Sequence, residues 1–399
     1  MSTYSATSED ILSRISTNDL LVRTILDNLS ARQLEDVKLV CHHWHKIISS
    51  IIKNRVYFDT FHLIYDSKGF RMIGGDQEVL ERVLDGRDKR LFLSYLVRMS
   101  EIYKSDSEDS AITQLDQYFK QKLLSLPALG VIFTSSITLA RKISVKTYLP
   151  LKSHQLIICS QAGIVGQPSI RSRPIELEKY HFKLDAISGS FAARNWGDYK
   201  VIITDWKDEE SPEPDPNDAN YPVKCSIILS INFEGGDRFN SWLNSNERPI
   251  PIGGALVDKI FYKGKEVDML TLSFVGKNVK AASFVLDTRT SREAEAKLTE
   301  LKSNLDFDVD DINADVKTIG FLFICAGRGA EFYSGNLNVE SNIVHKIFPH
   351  VLFSGVFGNG EYGWNCFNQP DSKKLKFSDH DLALSYTTAI VLVQFNRRR

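Results

Sequence analysis

The feature that most constrains this chain is a surplus of apolar side chains in one short segment, residues 20–48. They recur at steps of three and four residues, which places them on one face of a helix. The first run holds Leu20, Leu21, Ile25, Leu26 and Leu29. The second run holds Leu34, Val37, Val40, Cys41, Trp44 and Ile48. So short a segment cannot bury this many apolar groups by itself, so it must pack against the rest of the chain or against a partner.

Polar residues mark where the helices of this segment begin. Ser30 is followed three residues later by Gln33, the capping-box pattern, so we expect a second helix that starts at Ser30 and continues through Ile48. Ahead of the first helix, the side chain of Asn18 or Asp19 can accept a hydrogen bond from a free backbone N–H and cap it. The segment therefore predicts two capped helices separated near Ser30.

This segment resembles an F-box, the helical motif that ties a protein to a Skp-type adaptor of a cullin-RING ubiquitin ligase. The resemblance is carried by the two apolar runs, at 20–29 and 34–44. It departs from the family pattern at the start, where Thr17-Asn18-Asp19 stands in place of the usual Leu-Pro. An ordinary helical hairpin packed on its own domain is the alternative interpretation.

Composition argues against several other classes of protein. The 399 residues are enough for two or three domains, and a formal net charge of −1 gives no general attraction to nucleic acid or acidic membranes. No apolar stretch approaches the roughly 20 residues of a membrane helix, and the N-terminus lacks the pattern of a signal peptide. The 5 cysteines lie far apart without a C-x-x-C pair, which is typical of a reducing compartment. We therefore expect a cytoplasmic and nuclear protein that binds neither nucleic acid nor membrane and uses no cofactor.

Helical and strand-like patterns divide the chain into four parts. They are a helical module at 10–55, a connecting region at 56–127, and two halves of a larger body at 128–254 and 255–399. In the connecting region, helical spacing over 78–104 and 112–124 predicts helices that pack on the body. In the body, short apolar runs alternate with helical patterns, which predicts an α+β (mixed α/β) fold with mixed β-sheets and flanking helices. We expect the seam between the halves at Gly253-Gly254.

An acidic, proline-rich segment at 207–221 interrupts the first half of the body. Its core reads Asp208-Glu209-Glu210-Ser211-Pro212-Glu213-Pro214-Asp215-Pro216, which cannot form the interior of a helix or strand. Strand-like runs resume on both sides, so we expect an exposed loop between two strands. An acidic docking segment is the alternative interpretation.

The most distinctive pattern of the second half spans residues 321–363. A buried-strand candidate ends at Cys325 and is followed by a Gly327-Arg328-Gly329 turn. A short helix then begins at Asn338, which can cap it, and stops at Pro349. After one more strand, Asn359-Gly360 predicts a tight reversal with positive φ.

This block resembles the C-terminal half of a FIST domain, and residues 129–254 resemble the N-terminal half through weaker motifs. FIST domains are regarded as sensory modules for small ligands. Together with the F-box, the resemblance implies a substrate-recognition subunit of an SCF-type (Skp–cullin–F-box) E3 ubiquitin ligase. Such a subunit is not an enzyme, and its body recruits proteins for ubiquitination and proteasomal degradation. A FIST-type small-molecule sensor without a ligase role is the alternative.

Polar residues at the turns and helix ends of this block are candidates for a substrate or ligand site. With the neighbouring turn residues they are Cys325, Gly327, Arg328, Gly329, Asn338, Glu340, Phe357, Asn359, Gly360 and Glu361. Arg328 is the foremost candidate, since a guanidinium can hold a carboxylate through two hydrogen bonds. Caps of helices and braces of turns are the alternative roles for the same residues.

Two further motifs are weak. Gly358-x-Gly360-x-x-Gly363 matches a dinucleotide fingerprint, but the residues that follow do not form the helix which that fingerprint requires. Cys41, His42, His43 and His45 lie close together, yet no second ligand pair with metal spacing stands nearby. We therefore predict no nucleotide site and no metal site.

Cys325 is the cysteine with the most reactive surroundings in the sequence. The charge of Arg328 would lower the pKa of its thiol if the two side chains met. Nucleophilic catalysis would also need a positioned base, and no histidine lies close in sequence. A buried structural cysteine is the simpler interpretation, so we predict no catalytic residue.

Overall fold

The computed structural model describes residues 18–54, 59–66, 69–73, 107–123, 127–149, 153–167, 173–178, 185–193, 198–215, 218–232, 236–245, 249–311, 315–367 and 382–396. Within these ranges the fold is mixed α/β, as predicted, with eight α-helices and three β-sheets. The expected helix over 78–104 lies outside the described residues. In the part of the chain described, no helix combines the length and the apolar run needed to cross a bilayer.

Three short helices make up the described part of the helical module, residues 18–54. They are α1 (Asp19–Leu26), α2 (Ala31–Val37) and α3 (His42–Asn54). The Asn18 side chain caps α1, and the Ser30–Gln33 capping box at the start of α2 is present, as predicted. The expected continuous second helix is wrong, because the chain leaves the helix after Val37 and begins α3 at His42. Cys41 lies in this break, where its sulfur accepts the N–H of Trp44 at 3.5 Å and so caps α3.

The described part of the connecting region contains a pair of strands and a helix. Strands β1 (Asp59–Asp66) and β2 (Gly69–Ile73) pair antiparallel, and α4 (Ser107–Gln117) continues into a π-helical turn over Tyr118–Lys122. This helix fulfils the expectation for residues 112–124. Its last carbonyls meet the start of α2, where Ser30 Oγ donates to Lys120 O at 2.5 Å and Ala31 N donates to Leu123 O at 2.9 Å.

The body consists of seventeen strands and four α-helices within the described residues. The first half contributes β3 (Pro127–Thr134), α5 (Ile137–Ser144), β4 (His154–Cys159), β5 (Gly163–Gly166), β6 (Ile175–Glu178), β7 (Ala186–Ala193), β8 (Lys200–Asp205), β9 (Val223–Ser230), α6 (Gly236–Ser245) and β10 (Ile252–Leu256). The second half contributes β11 (Lys259–Tyr262), β12 (Lys265–Val267), β13 (Met269–Val275), β14 (Val279–Leu286), α7 (Ser291–Ser303), β15 (Val316–Cys325), α8 (Val339–Ile347), β16 (Leu352–Gly358), β17 (Glu361–Gly363), β18 (Ala383–Leu384) and β19 (Thr388–Asn396).

Each of the three sheets takes strands from both halves of the body. Sheet I has the order β12-β11-β4-β3-β7-β1-β2, sheet II the order β18-β17-β10-β9-β13-β8, and sheet III the order β14-β19-β15-β16-β5-β6. The expected seam at Gly253-Gly254 lies inside β10 and not between elements. A Cβ at Gly254 would come within 1.8 Å of Ile228 O, so glycine is needed there for close strand approach. The two halves therefore cannot separate without breaking β-ladders.

One face of every sheet packs into a shared central core, and helices cover the other face. In sheet I, Val131 of β3 faces the central core, while the next residue, Ile132, packs with residues of α4 and α5. In sheet III, Phe321 faces the central core and Leu322 packs with α7 and α8. In sheet II, Ile228 packs with α6. This two-residue alternation explains why the strands read as continuous apolar runs.

The acidic segment forms a loop between β8 and β9, as expected, and α6 holds it in place. Arg238 donates to the carbonyls of Asp208 and Ser211 and pairs with the Glu213 carboxylate. Trp242 Nε1 donates to Pro214 O at 3.0 Å. The loop carries exposed carboxylates but is folded back on its own helix.

Candidate functional site

The helical module has a small core of its own. Its buried side chains come from all three helices and are Val22, Leu26, Leu34, Ile47, Ile48 and Ile51. Leu29, Val37 and Trp44 pack against this cluster and are half-buried. Leu26 and Leu34 have no exposed surface, so within the predicted docking set these two side chains hold the module together.

A second group of apolar side chains on the same module points into solvent. We call it the exposed patch: Leu20, Leu21, Ile25, Leu39 and Val40, with exposed fractions of 76, 41, 45, 86 and 64%. Of the chain's described large apolar side chains, the only others this exposed are Val145 and Tyr386. Cys41 is exposed beside Val40. Clustered apolar exposure of this kind marks a protein-binding surface more often than a free surface.

The structure thus divides the predicted docking residues into two sets. Leu20, Leu21, Ile25, Val40 and Cys41 are exposed, whereas the remaining five contribute to the module's own packing. Leu39 was not among the predicted residues, although it is the most exposed of the patch. It falls outside the three- and four-residue spacing of Leu34, Val37, Cys41 and Trp44, so the helical pattern did not mark it.

The histidines near the patch do not approach one another as a metal site. His43 Nε2 lies 3.1 Å from Asp19 Oδ1, which ties the start of α1 to α3, while His42 and His45 are exposed. Within the ranges described above, no group of three or more His, Cys, Asp or Glu side chains is arranged to hold a metal ion.

In the body, Arg328 is buried in the protein and does not face solvent; its side chain is 1% exposed. Its Nε and Nη2 donate to Glu340 Oε1 at 2.8 and 2.6 Å, and Nη2 also donates to Tyr333 Oη at 2.9 Å. Its Nη1 donates to Thr288 O at 2.7 Å and to Tyr386 O at 3.1 Å. Every N–H of the guanidinium therefore has an acceptor inside the chain.

The prediction that Arg328 holds a ligand carboxylate needs correction for this reason. The carboxylate that it holds belongs to Glu340, in the first turn of α8. The same carboxylate accepts the hydroxyls of Tyr333, at 2.6 Å, and of Thr388. Burial alone would lower the pKa of Arg328, but Glu340 and Tyr333 act against burial and raise it. Arg328 is the centre of an internal brace, which we call the Arg328 network.

The two glycines beside Arg328 provide space and not an unusual backbone conformation. Neither has a positive φ. A Cβ at Gly327 would come within 2.9 Å of the exposed Tyr386 ring, and one at Gly329 within 1.9 Å of Glu178 Oε2. At Gly329 the buried Glu178 carboxylate leaves no room for a side chain, whereas at Gly327 the exposed Tyr386 ring would have to move.

Two glutamates of β6, Glu176 and Glu178, complete this buried polar region, although no sequence pattern marked them. Glu178 accepts the N–H of Ala330 with both oxygens, at 2.8 and 3.0 Å. Glu176 Oε1 accepts the N–H of Ser341 at 2.6 Å, and its own N–H donates to Asn338 Oδ1 at 2.7 Å. The predicted cap of α8 by Asn338 is therefore wrong, because Asn338 bonds to β6 and Glu176 supplies the cap from that strand.

Cys325 and Glu361 form a second buried pair next to the Arg328 network. Burial raises the pKa of the Glu361 carboxyl to about 7. Burial also raises the pKa of the Cys325 thiol, with the Glu361 carboxyl acting in the same direction. Contact with Arg328 would have lowered the pKa of this thiol; the shift has the opposite direction, and the N–H groups of Arg328 are bonded to other residues. Glu361 Oε2 accepts the Thr387 hydroxyl at 3.1 Å, while Oε1 has no hydrogen-bond partner.

The remaining predicted residues lie at the junction of sheets II and III. Phe357 is buried in the cluster between sheet III and helices α7 and α8. Asn359 and Gly360 form the predicted tight turn, with Gly360 at φ +146°. The turn does not make a hairpin, because β16 and β17 belong to different sheets and Asn359 N bonds to Leu256 O. Of the ten residues proposed, Gly327 and Asn359 are the exposed ones.

Comparison with known proteins finds relatives that are F-box proteins. The chain is similar to an F-box protein. It is 34% identical over 171 residues to F-box only protein 22 of Homo sapiens, a match that covers 41% of this chain and 38% of the relative. The same protein of Pongo abelii is 33% identical over the same span. The match thus spans well under half the length of these relatives. No family model matches the chain.

Proposed function

We propose that this chain is the substrate-recognition subunit of an SCF-type E3 ubiquitin ligase. Its helical module docks on a Skp-type adaptor and, through it, on a cullin-RING ligase. Its body recruits proteins for ubiquitination and proteasomal degradation in the cytoplasm and nucleus. The chain itself performs no catalytic step in this proposal.

One observation carries the proposal, namely the exposed patch on a module that already has a complete core. Leu39 and Val40 are the most solvent-exposed side chains of the break between α2 and α3, while Leu21 and Ile25 lie on α1. Nothing in the described part of the chain covers them. Because the module's own core does not need these side chains, a partner is the simplest reason for their exposure. The similarity to an F-box protein supports a Skp-type adaptor as that partner.

A small-ligand sensor without a ligase role is the second candidate, and Glu361 is the observation that favours it. Its Oε1 is buried without a hydrogen-bond partner, next to a thiol. Buried polar atoms are rarely left unpaired, so a donor group of a ligand is a candidate partner for this oxygen, besides the Cys325 thiol that is hydrogen-bonded to the carboxyl. In this case the exposed patch would have no adaptor to bind.

The experiment is capture of a purified Skp-type adaptor by the full-length chain. We expect the double variant Leu39→Asp with Val40→Asp to abolish capture, because it places two charges in the centre of an apolar contact. Loss of one buried anchor typically costs about 2 kcal/mol, which is roughly thirtyfold in affinity.

The matched control is Val145→Asp, which changes an exposed apolar residue of the body. It should leave adaptor capture unchanged. Undiminished capture by the double variant, with the module still helical, would contradict docking through the patch. Failure of the wild-type chain to bind any Skp-type adaptor would favour the sensor.

A further inference from the structure

Strand β6 is attached to the body in an unusual way. It is the edge strand of sheet III and pairs there with β5. Both strands come from the first half of the body, whereas the other four strands of the sheet come from the second. The strand reads Ile175-Glu176-Leu177-Glu178, and both glutamates are buried, 4 and 6% exposed. Buried carboxylates on an edge strand require partners, and they find them in the second half of the body.

The first attachment is made by Glu178 to the turn that follows β15. Its two oxygens share the N–H of Ala330. Gly329 brings the turn close enough, since a Cβ there would overlap the Glu178 carboxylate. The contact thus depends on a carboxylate from β6 lying directly against the backbone of the second half.

The second attachment joins β6 to the start of α8. Glu176 accepts the N–H of Ser341, and the Asn338 side chain accepts the N–H of Glu176. These two hydrogen bonds reproduce a capping box, except that its two halves lie 162 and 165 residues apart in sequence. The N–H of Ser341, in the first turn of α8, therefore has this acceptor only while β6 is docked.

Glu176 lies near two other carboxylates. They are Glu178 on its own strand and Glu340 on α8, and Glu340 is bonded to the guanidinium of Arg328. A second cation, Arg173, precedes β6 and acts on His345 of α8, whose pKa is lowered by burial and by this charge. The neighbouring strand β5, Gly-Ile-Val-Gly, has no titratable side chain. An ionised Glu176 would place its negative charge beside two carboxylates in a region closed to water.

We propose that β6 is a pH-sensitive clasp, which Glu176 and Glu178 close onto α8 and the turn after β15, and which loosens when Glu176 gains a negative charge. Opening would uncover the N–H groups of Ala330 and Ser341 and detach the first half of the body from α8. The proposal does not depend on the ligase assignment, because it concerns contacts within the body.

The direction of the pH effect follows from the closed state. Burial raises the pKa of Glu176 from 4.5 to about 8, and the carboxylates of Glu340 and Glu178 add to this. In the open, solvated state the pKa returns toward its ordinary value. Between these two values the closed clasp binds one proton more than the open one, so closure weakens as the pH rises through that window. The closed clasp is most stable at acidic pH, and its stability changes no further once the pH is above the pKa of Glu176 in the closed state.

Hydrogen exchange of the full-length chain measures this equilibrium. The peptides to follow contain residues 173–178 and 339–347. After correction for the intrinsic exchange rate, the wild-type opening constant should rise by up to about tenfold per pH unit between roughly pH 5 and 8. In Glu176→Gln, which mimics the neutral acid and still accepts from Ser341, the opening constant should remain at the acid value throughout.

The control is Glu331→Gln, an exposed carboxylate of the same turn, which should follow the wild type. If Glu176→Gln does not fold, Glu178→Gln provides the test, since removing this neighbouring charge should reduce the pH dependence. A wild-type opening constant that does not change with pH would overturn the clasp. So would a pH dependence that is the same in the wild type and in both glutamine variants.

Discussion

The helical module exposes apolar side chains to water, whereas the Arg328 network buries charged ones. On the module, apolar side chains such as Leu39 and Val40 are left in water, where they have no partner within the described chain. In the body, the charges of Arg328 and Glu340 are removed from water and fully paired with groups of the same chain. An exposed apolar group is favourable only when a partner covers it, whereas a buried ion pair is favourable only when it remains closed.

The chemistry of the residues alone suggests that Arg328 binds a ligand and that the apolar side chains form a core, and the structure shows the opposite exposure for both. Arginine between two glycines is typical of an anion site, yet here its donors are all used internally. The surface that we propose for binding is instead the exposed patch, whose apolar side chains would otherwise be typical of a core. The solvent exposure of a side chain therefore distinguishes a binding role from a structural role better than its chemical type does. Three substitutions test this, from the largest expected effect to the smallest.

Arg328→Ala should destabilise the body severely. It leaves the Glu340 carboxylate buried at 1% exposure without its cation, and the expected loss is about 3 to 5 kcal/mol in the free energy of unfolding. Chemical denaturation of the full-length chain measures it. Arg289→Ala, which removes an exposed arginine of the neighbouring loop, is the control and should change stability by no more than about 0.5 kcal/mol.

A second variant distinguishes a brace from a ligand site. Replacing the pair together, Arg328→Met with Glu340→Leu, should recover much of the lost stability, because no unpaired charge then stays buried. If Arg328→Ala proves as stable as the wild type, the network is not a brace, and a ligand role for Arg328 becomes the better explanation.

Leu34→Ala should disrupt the helical module, whereas Leu39→Ala should not. Leu34 is fully buried in the module core, so truncation creates a cavity that costs about 2 to 5 kcal/mol. Leu39 is 86% exposed and its truncation leaves no cavity. Hydrogen exchange over residues 18–54 reports on the fold, and adaptor capture reports on docking. We expect Leu39→Ala to weaken capture with unchanged exchange; equal losses of protection in both variants would remove the distinction between core and patch.

Much of the fold could be predicted from local sequence pattern. The Ser30–Gln33 capping box is present, and the helix expected at residues 112–124 is observed as the end of α4 with its π-helical turn. The buried strand expected to end at Cys325 is β15, which ends there. Each of these features depends on residues a few positions apart, which is the range over which propensity, capping and periodicity act.

The contacts that make the buried polar region could not be predicted in the same way. Glu176 and Glu178 alternate with apolar residues, which normally indicates a strand with one face in water. They are buried only because β6 joins a sheet of the other half and meets α8, more than 150 residues later in the chain. Strand order is decided by such distant contacts, and a single sequence carries no local signal for them.

Ser30→Ala should have the smallest of the three effects, and it tests whether the module and the connecting helix α4 are independent. Ser30 Oγ accepts the N–H of Gln33 at 3.2 Å, which caps α2, and donates to Lys120 O at the end of the π-helical turn. Loss of the cap costs about 1 kcal/mol. Ser30→Thr keeps the hydroxyl and is the matched control. If the serine serves the cap alone, Ser30→Ala increases exchange in residues 31–37 and leaves 107–123 unchanged. Increased exchange in both segments would show that the helical module and the connecting helix α4, with its π-helical turn, are coupled through this hydroxyl.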